Sequence, residues 1–272
     1  MVTAQDGPRG DPPPHRVPCY VGMSVFEDVL SHYAGLPDPR LSQPWRWPAH
    51  DGTTLEVRDA LLRSLELELA ALADAEPGAS ETARAVALAQ AAFGDLRGLL
   101  CGQPDILLDA EPGDGEWTLR RVLQHVLYVE RRYQLQTIYA VSRSDDDPVR
   151  RELDVPIEDA ETVAGWLQRL SAAREEGRRT LDFPDWKLGR PSGWVGYAVD
   201  VRFRLHRFTG HLAQHTIQCE KVLGRLGTPE GEARKLVRRI SAARGGHEWL
   251  SELAVLSKLD NEHRTLASFL QS

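Results

Sequence analysis

The feature that most limits what this chain can fold into is the spacing of its apolar residues, which return every three or four positions in segment after segment. Leu62, Leu65, Leu69 and Leu72 make one such stripe, and Leu119, Val122, Val126, Val129 and Tyr133 make another. At 3.6 residues per turn, this spacing lines side chains along one face of an α-helix. No segment sustains polar–apolar alternation with β-branched enrichment, so strands are not expected. The chain reads as all-α, with helices joined by short and medium connections and packed as a bundle.

Punctuation residues divide the pattern. Thr53-Thr54-Leu55-Glu56 reads as a capping box that opens a helix, and Glu76-Pro77-Gly78 closes it. Ser80 or Thr82 caps a second helix running to about Cys101, and a third begins near Thr118. A fourth is expected over roughly 157–181, with Val163, Trp166 and Leu170 inward. After a loop rich in Asp, Pro, Gly and Trp, a fifth spans about 197–226 and carries Val201, Leu205, Phe208, Leu212, Cys219 and Val222. Thr228-Pro229-Glu230 starts another helix with Pro at its first position. Gly245-Gly246 then separates it from a last helix that bears Trp249, Leu253, Leu256 and Leu270.

The ends look different. Pro8, Pro12, Pro13, Pro14 and Pro18 make residues 1–18 a disordered or extended lead. Residues 19–79 read as an irregular arm plus an accessory helix, in which Trp45 and Trp47 should pin the arm to the body. The bundle is expected over 80–226, with the helices of 227–272 packed on it.

Of 272 residues, 33 are basic and 40 acidic, a formal net charge of −7 that argues against nucleic acid as a partner. The run Arg234-Lys235-Leu236-Val237-Arg238-Arg239 reads as a solvated helix face. No apolar run approaches the roughly 20 residues that span a bilayer, so no membrane partner is expected. Cys19, Cys101 and Cys219 are too few and too scattered for a disulfide framework. With no secretory or transit pattern at the N-terminus, a reduced cytoplasmic setting is expected. Apolar stripes on the flanking helices are compatible with a homodimer.

The chemistry concentrates on histidines. In the fifth helix His215 falls within the apolar stripe and His211 at its edge one turn earlier, whereas His206 points nearly opposite. Two imidazoles at i and i+4 can meet one cation about 2 Å from each. His125 flanks the stripe of the third helix and supplies a third ligand, the count at which a catalytic zinc site keeps one position open. Leu212 stands where a zinc-protease HExxH motif would place its glutamate, so that motif is absent. Tyr128, Arg121 and Arg132 lie on the His125 side of their helix, where they could bind an anionic cofactor. Cys219 is one turn beyond His215, so a ligand or redox role competes with plain core packing. Glu130 and Glu220 point away from the expected cores. His50-Asp51 lies in the arm and reaches the site only if the arm folds over it.

The segment GEWTLRRVLQH ending at His125, followed much later by HRFTGHLAQHTIQCEKVL from His206, resembles the DinB/YfiT-like proteins over roughly residues 80–226. The resemblance implies a four-helix bundle holding a divalent metal on three histidines, here His125, His211 and His215. It further implies an enzyme that uses a low-molecular-weight thiol such as mycothiol or bacillithiol to act on a small electrophile. Metal-dependent hydrolysis and a non-catalytic helical bundle that binds a small hydrophobe or a protein partner are the alternatives. Zinc is the first choice of metal, and three imidazoles also accommodate nickel, iron or manganese. Two departures limit the transfer of specific activities. The maleylpyruvate isomerase branch tends to carry Glu where His211 stands, and the HxxxHxE pattern of ergothioneine sulfoxide synthases fails at Ile217.

Overall fold

The computed structural model describes residues 24–47, 54–75, 77–113 and 115–270. The helices among them are α1 (Val25–Ala34), α2 (Asp38–Leu41), α3 (Val57–Ala75), α4 (Glu81–Leu100), α5 (Leu119–Ser142), α6 (Val163–Thr180), α7 (Val201–Arg225), α8 (Glu232–His247) and α9 (Leu253–Phe269). Two antiparallel hairpins accompany them: β1 (Pro44–Arg46) with β2 (Thr54–Glu56), and β3 (Pro191–Trp194) with β4 (Tyr197–Asp200). The all-α fold class holds, and only the expectation that no strand would occur fails, at these two short hairpins. Strands of three and four residues are too short to show a period of two, so they left no trace in the pattern.

Helices α4, α5, α6 and α7 pack around one core that includes Phe93 and Leu96 from α4, Val122 and Val126 from α5, Trp166 and Leu170 from α6, and Leu212 and Val222 from α7. Side-chain caps fix where all four begin. Ser80 accepts from the Ala83 amide, Thr118 from Arg121, Thr162 from Gly165 and Asp200 from Phe203. The fourth predicted helix therefore starts at Val163 rather than 157, and the fifth starts at Val201 because 197–200 pair as β4. Likewise Thr54–Glu56 form β2 and not a capping box, and Thr53 lies outside the described residues. The proline-rich lead, Cys19 and His50-Asp51 also lie outside them.

A second core closes over the far side of α4. There α1, α3, α8 and α9 bury Leu30, Tyr33, Leu61, Val237, Ile240 and Leu266, and Trp45 of the arm is buried among them, stacked on Trp47. Gly245 and Gly246 sit inside α8, not between helices. A Cβ at Gly245 would stand 2.4 Å from the Gln90 carbonyl oxygen, and one at Gly94 would stand 2.2 Å from that of Ser241. These glycines serve close approach of α4 and α8 rather than a chain break. Trp249 belongs to the connection that follows, 5.1 Å from the Arg174 guanidinium. Pro229 precedes α8, which opens at Glu232.

Two charged groups are placed differently from expectation. Glu130 is 1% exposed and accepts from Arg174 Nη1 at 2.7 Å, while Arg174 Nε also donates to Gln90, so the pair ties α4, α5 and α6 together. The basic run on α8 divides: Lys235 and Arg239 are exposed as expected, whereas Arg234 and Arg238 are paired. Arg238 makes a two-pronged contact with Asp95 and reaches Glu220 and Glu230, and Arg234 donates to the last carbonyls of α4. No helix among the described residues is long and apolar enough to cross a membrane.

Candidate metal centre

His211 and His215 lie one turn apart on the inner face of α7, 6% and 5% exposed, and His125 faces them from α5 half-buried. The helical stripe makes this happen: Leu212, Cys219 and Val222 turn the same side of α7 into the bundle, which carries both imidazoles inward. Ring centroids are 5.3 Å apart for His125–His211, 4.8 Å for His125–His215 and 4.4 Å for His211–His215. One nitrogen from each lies within 4.8 Å of the other two. Nε2 of His125 is 3.3 Å from Nε2 of His211. Nitrogens bound tetrahedrally to zinc at about 2.0–2.1 Å stand roughly 3.4 Å apart, so these donors are already near the spacing a small cation needs. His206 is exposed on the opposite side, as its position in the helix predicts.

Neighbours orient the rings. Nδ1 of His215 donates to Oε1 of Gln218 at 2.7 Å, which leaves its Nε2 with a lone pair. Trp117 meets His125 edge-on at 5.3 Å, and Tyr133 meets His211 at 5.7 Å. Burial pushes the His211 pKa down to about 3, helped by the neighbouring His215, His125 and Arg207. Burial also lowers His125, with His215 adding to the effect, and lowers His215 against the pull of its Gln218 hydrogen bond. All three are thus neutral near pH 7, the form in which imidazole ligates a metal. Three neutral nitrogens suit zinc, nickel, iron or manganese.

A cavity of about 530 Å³ opens beside the rings. Its wall includes His125 and His211, Tyr133 of α5, Trp194 of the β3–β4 hairpin, and the arginines Arg150 and Arg204. Trp194 Nε1 donates to the Tyr133 hydroxyl at 3.3 Å and ties the hairpin to α5.

The other expected site residues divide. Arg132 lines the cavity, with its guanidinium 5.7 Å from the Tyr128 ring. Tyr128 and Arg121 are not in that wall; Arg121 lies 4.6 Å over Trp117 and touches the centre only through that indole. Cys219 is fully buried in the bundle core, and burial pushes its thiol up to about 12, so it packs and does not face the cavity. Sequence reasoning missed Gln218, Arg150, Trp194 and Arg204. The spacing of Gln218, three residues beyond His215, was a usable signal. Arg204, seven residues before His211 on the same face of α7, carried a similar one, whereas Arg150 and Trp194, outside the helices, carried none.

No curated protein matches the chain. Residues 87–219, from within α4 to within α7, match the model of the DinB superfamily. That stretch contains the four-helix core and all three histidines, and this part of the chain belongs to the DinB superfamily.

Proposed function

We propose that the protein is a metal-dependent transferase that joins a low-molecular-weight thiol, such as mycothiol or bacillithiol, to a small electrophile. The observation that carries this reading is the convergence of three neutral imidazoles beside a cavity whose wall includes two of them, His125 and His211. His125, His211 and His215 would hold the ion beside the cavity that His125 and His211 line. A bound divalent ion supplies a Lewis acid that lowers the pKa of a thiol brought beside it. Gln218 keeps His215 in the ligating tautomer, and Trp117 and Tyr133 restrict the rings of His125 and His211. In the transfer the S–H proton passes to cavity water, the sulfur lone pair forms the new S–C bond, and the electron pair of the breaking bond departs with the leaving group. Soft sulfur at a zinc-type centre favours thiol over water as the nucleophile.

The test has two stages. Protein purified without chelator is assayed for metal, beside His211→Ala and His125→Ala. About one equivalent in the wild type and its loss from both variants is expected. Metal-replete protein is then offered electrophiles with and without thiol. Thiol-dependent consumption supports the transfer, turnover without thiol overturns it in favour of hydrolysis, and absence of stoichiometric metal overturns both.

A further inference from the structure

Cations gather in the wall of the cavity that His125 and His211 line. Arg132, Arg150, Arg151 and Arg204 line it against a single carboxylate, Glu152. Arg204 is the unusual one. It is 4% exposed, its Nη1 donates to the Gly193 carbonyl at 2.7 Å, and its guanidinium lies 5.5 Å from the Tyr133 ring. Its Nε is buried with no hydrogen-bond partner, and it forms no ion pair among the described residues. Other buried arginines are provided for: Arg97 meets Glu248, Arg174 meets Glu130 and Arg244 meets Glu68. Arg143, which also lacks a carboxylate, lays its guanidinium on three backbone carbonyls and lies outside the cavity wall. A buried cation without a counter-ion is costly, so its persistence at a cavity wall points to an anion supplied from outside.

The hairpin is built to hold this cation and a second one. Arg150 crosses β3 at Gly193, where a Cβ would stand 2.2 Å from its Nε, and its Nη2 donates to the Tyr197 carbonyl at 2.9 Å. Gly193 therefore makes room for Arg150 on one side and accepts from Arg204 on the other. Burial lowers the Arg204 pKa to about 10, which leaves it charged at neutral pH. We propose that Arg204, assisted by Arg150, is a carboxylate-binding subsite, and that the small molecule brought to the histidine centre is a carboxylate. Each guanidinium already gives one N–H to a backbone carbonyl, and the N–H groups that remain match a planar pair of oxygens. Glu152 in the same wall weighs against the doubly charged phosphate. Substrate identity here rests on the reading of the histidines as the reaction centre; anion binding by the arginines does not.

Calorimetric titration of the full chain with butyrate, butyramide and inorganic phosphate tests the subsite. Butyrate is expected to bind the wild type, the neutral amide not to bind, and phosphate to bind more weakly. Arg204→Gln should weaken butyrate about tenfold or more, and the exposed Arg150→Ala by a smaller factor. Removing an uncompensated buried charge should not unfold the chain, which a thermal melt of Arg204→Gln checks. His211→Ala, which removes the route through a metal, should still bind butyrate. No butyrate binding by the wild type, equal binding of the amide, tighter binding of phosphate, or undiminished binding by both arginine variants overturns the proposal. Retained butyrate binding in a protein that shows no thiol-dependent turnover would overturn the transfer reading and leave the subsite standing.

Discussion

Two groups of buried histidines sit in this molecule, and they are built in opposite ways. In the second core His247 and His263 both donate from Nε2 to Glu68, at 2.6 and 2.5 Å, and Arg244 adds a third contact to the same carboxylate at 3.2 Å. Glu68, His247 and His263 are 0% exposed. In the bundle His125, His211 and His215 surround no carboxylate, and two of them reach a cavity. A carboxylate at the middle of a cluster consumes imidazole N–H groups and produces a closed structural joint. Without one, imidazole nitrogens converge on one another, an arrangement that suits a cation. The contrast teaches that burial and histidine count do not distinguish a joint from a site. What fills the centre does.

The largest expected effect comes from emptying the joint. Glu68→Gln removes the charge that three donors share and leaves Arg244 with Asp260 alone. Breaking a buried pair in this manner costs about 3–5 kcal/mol, read as a fall in the urea midpoint. Metal bound per folded chain should stay unchanged, because the joint links α3, α8 and α9 and contributes nothing to the histidines on α5 and α7. A variant that keeps its stability and loses its metal would break the comparison.

Acid should reproduce this loss gradually. Burial alone would raise the Glu68 pKa, but the hydrogen bonds from His247 and His263 and the Arg244 charge prevail and hold it at about 2 against an ordinary 4.5. The groups facing it are His247 and Arg244 from α8 and His263 from α9, with Asp260 of α9 bound to Arg244. A depressed carboxyl contributes its stability above the unfolded value and loses it as the pH falls through the folded one. The wild type should therefore shed on the order of 3 kcal/mol between about pH 5 and pH 2 that Glu68→Gln does not. Parallel stability curves for the two proteins across that window would show that the joint is not ionised as described.

How far each cluster could be read in the sequence follows from the same physics. His211 and His215 were legible because they occupy apolar slots of a long helix, where a polar ring needs a reason. His125 was legible by the same stripe on α5. Glu68, His247 and His263 were not, because they come from three helices and each resembles an ordinary residue in its own sequence. Glu130 was misread for a related reason: its partner Arg174 lies on another helix, and only that pairing makes its burial tolerable. The glycines of α8 and the two hairpins show the remaining limit. Close approach of backbones and strands of three or four residues are decided by tertiary contacts that periodicity does not record.

A smaller effect probes the support of the open cluster. Gln218→Ala removes the acceptor that holds Nδ1 of His215 and should lower metal affinity by about 10–100-fold, in line with other residues that orient a ligand. Competition with a chromophoric chelator measures it. Stability without metal should hardly move, since Gln218 is half-buried and shares no other side-chain hydrogen bond among the described residues. A loss of stability in place of a loss of affinity would turn the open cluster into a second structural joint.

The smallest effect concerns the residue that could join either camp. Cys219 stands one turn beyond His215 and would make a fourth ligand if its sulfur entered the centre. A thiol ligates as thiolate, and burial at 0% exposure makes that form costly enough to lift its pKa to about 12. It is packed in the core with Leu212, Val222 and Leu223. Cys219→Ala should accordingly cost about 1 kcal/mol of stability for the lost packing and leave metal stoichiometry unchanged. Metal loss in that variant would mean a closed four-ligand centre with no position for a substrate, and the open cluster would then have to be regrouped with the sealed one.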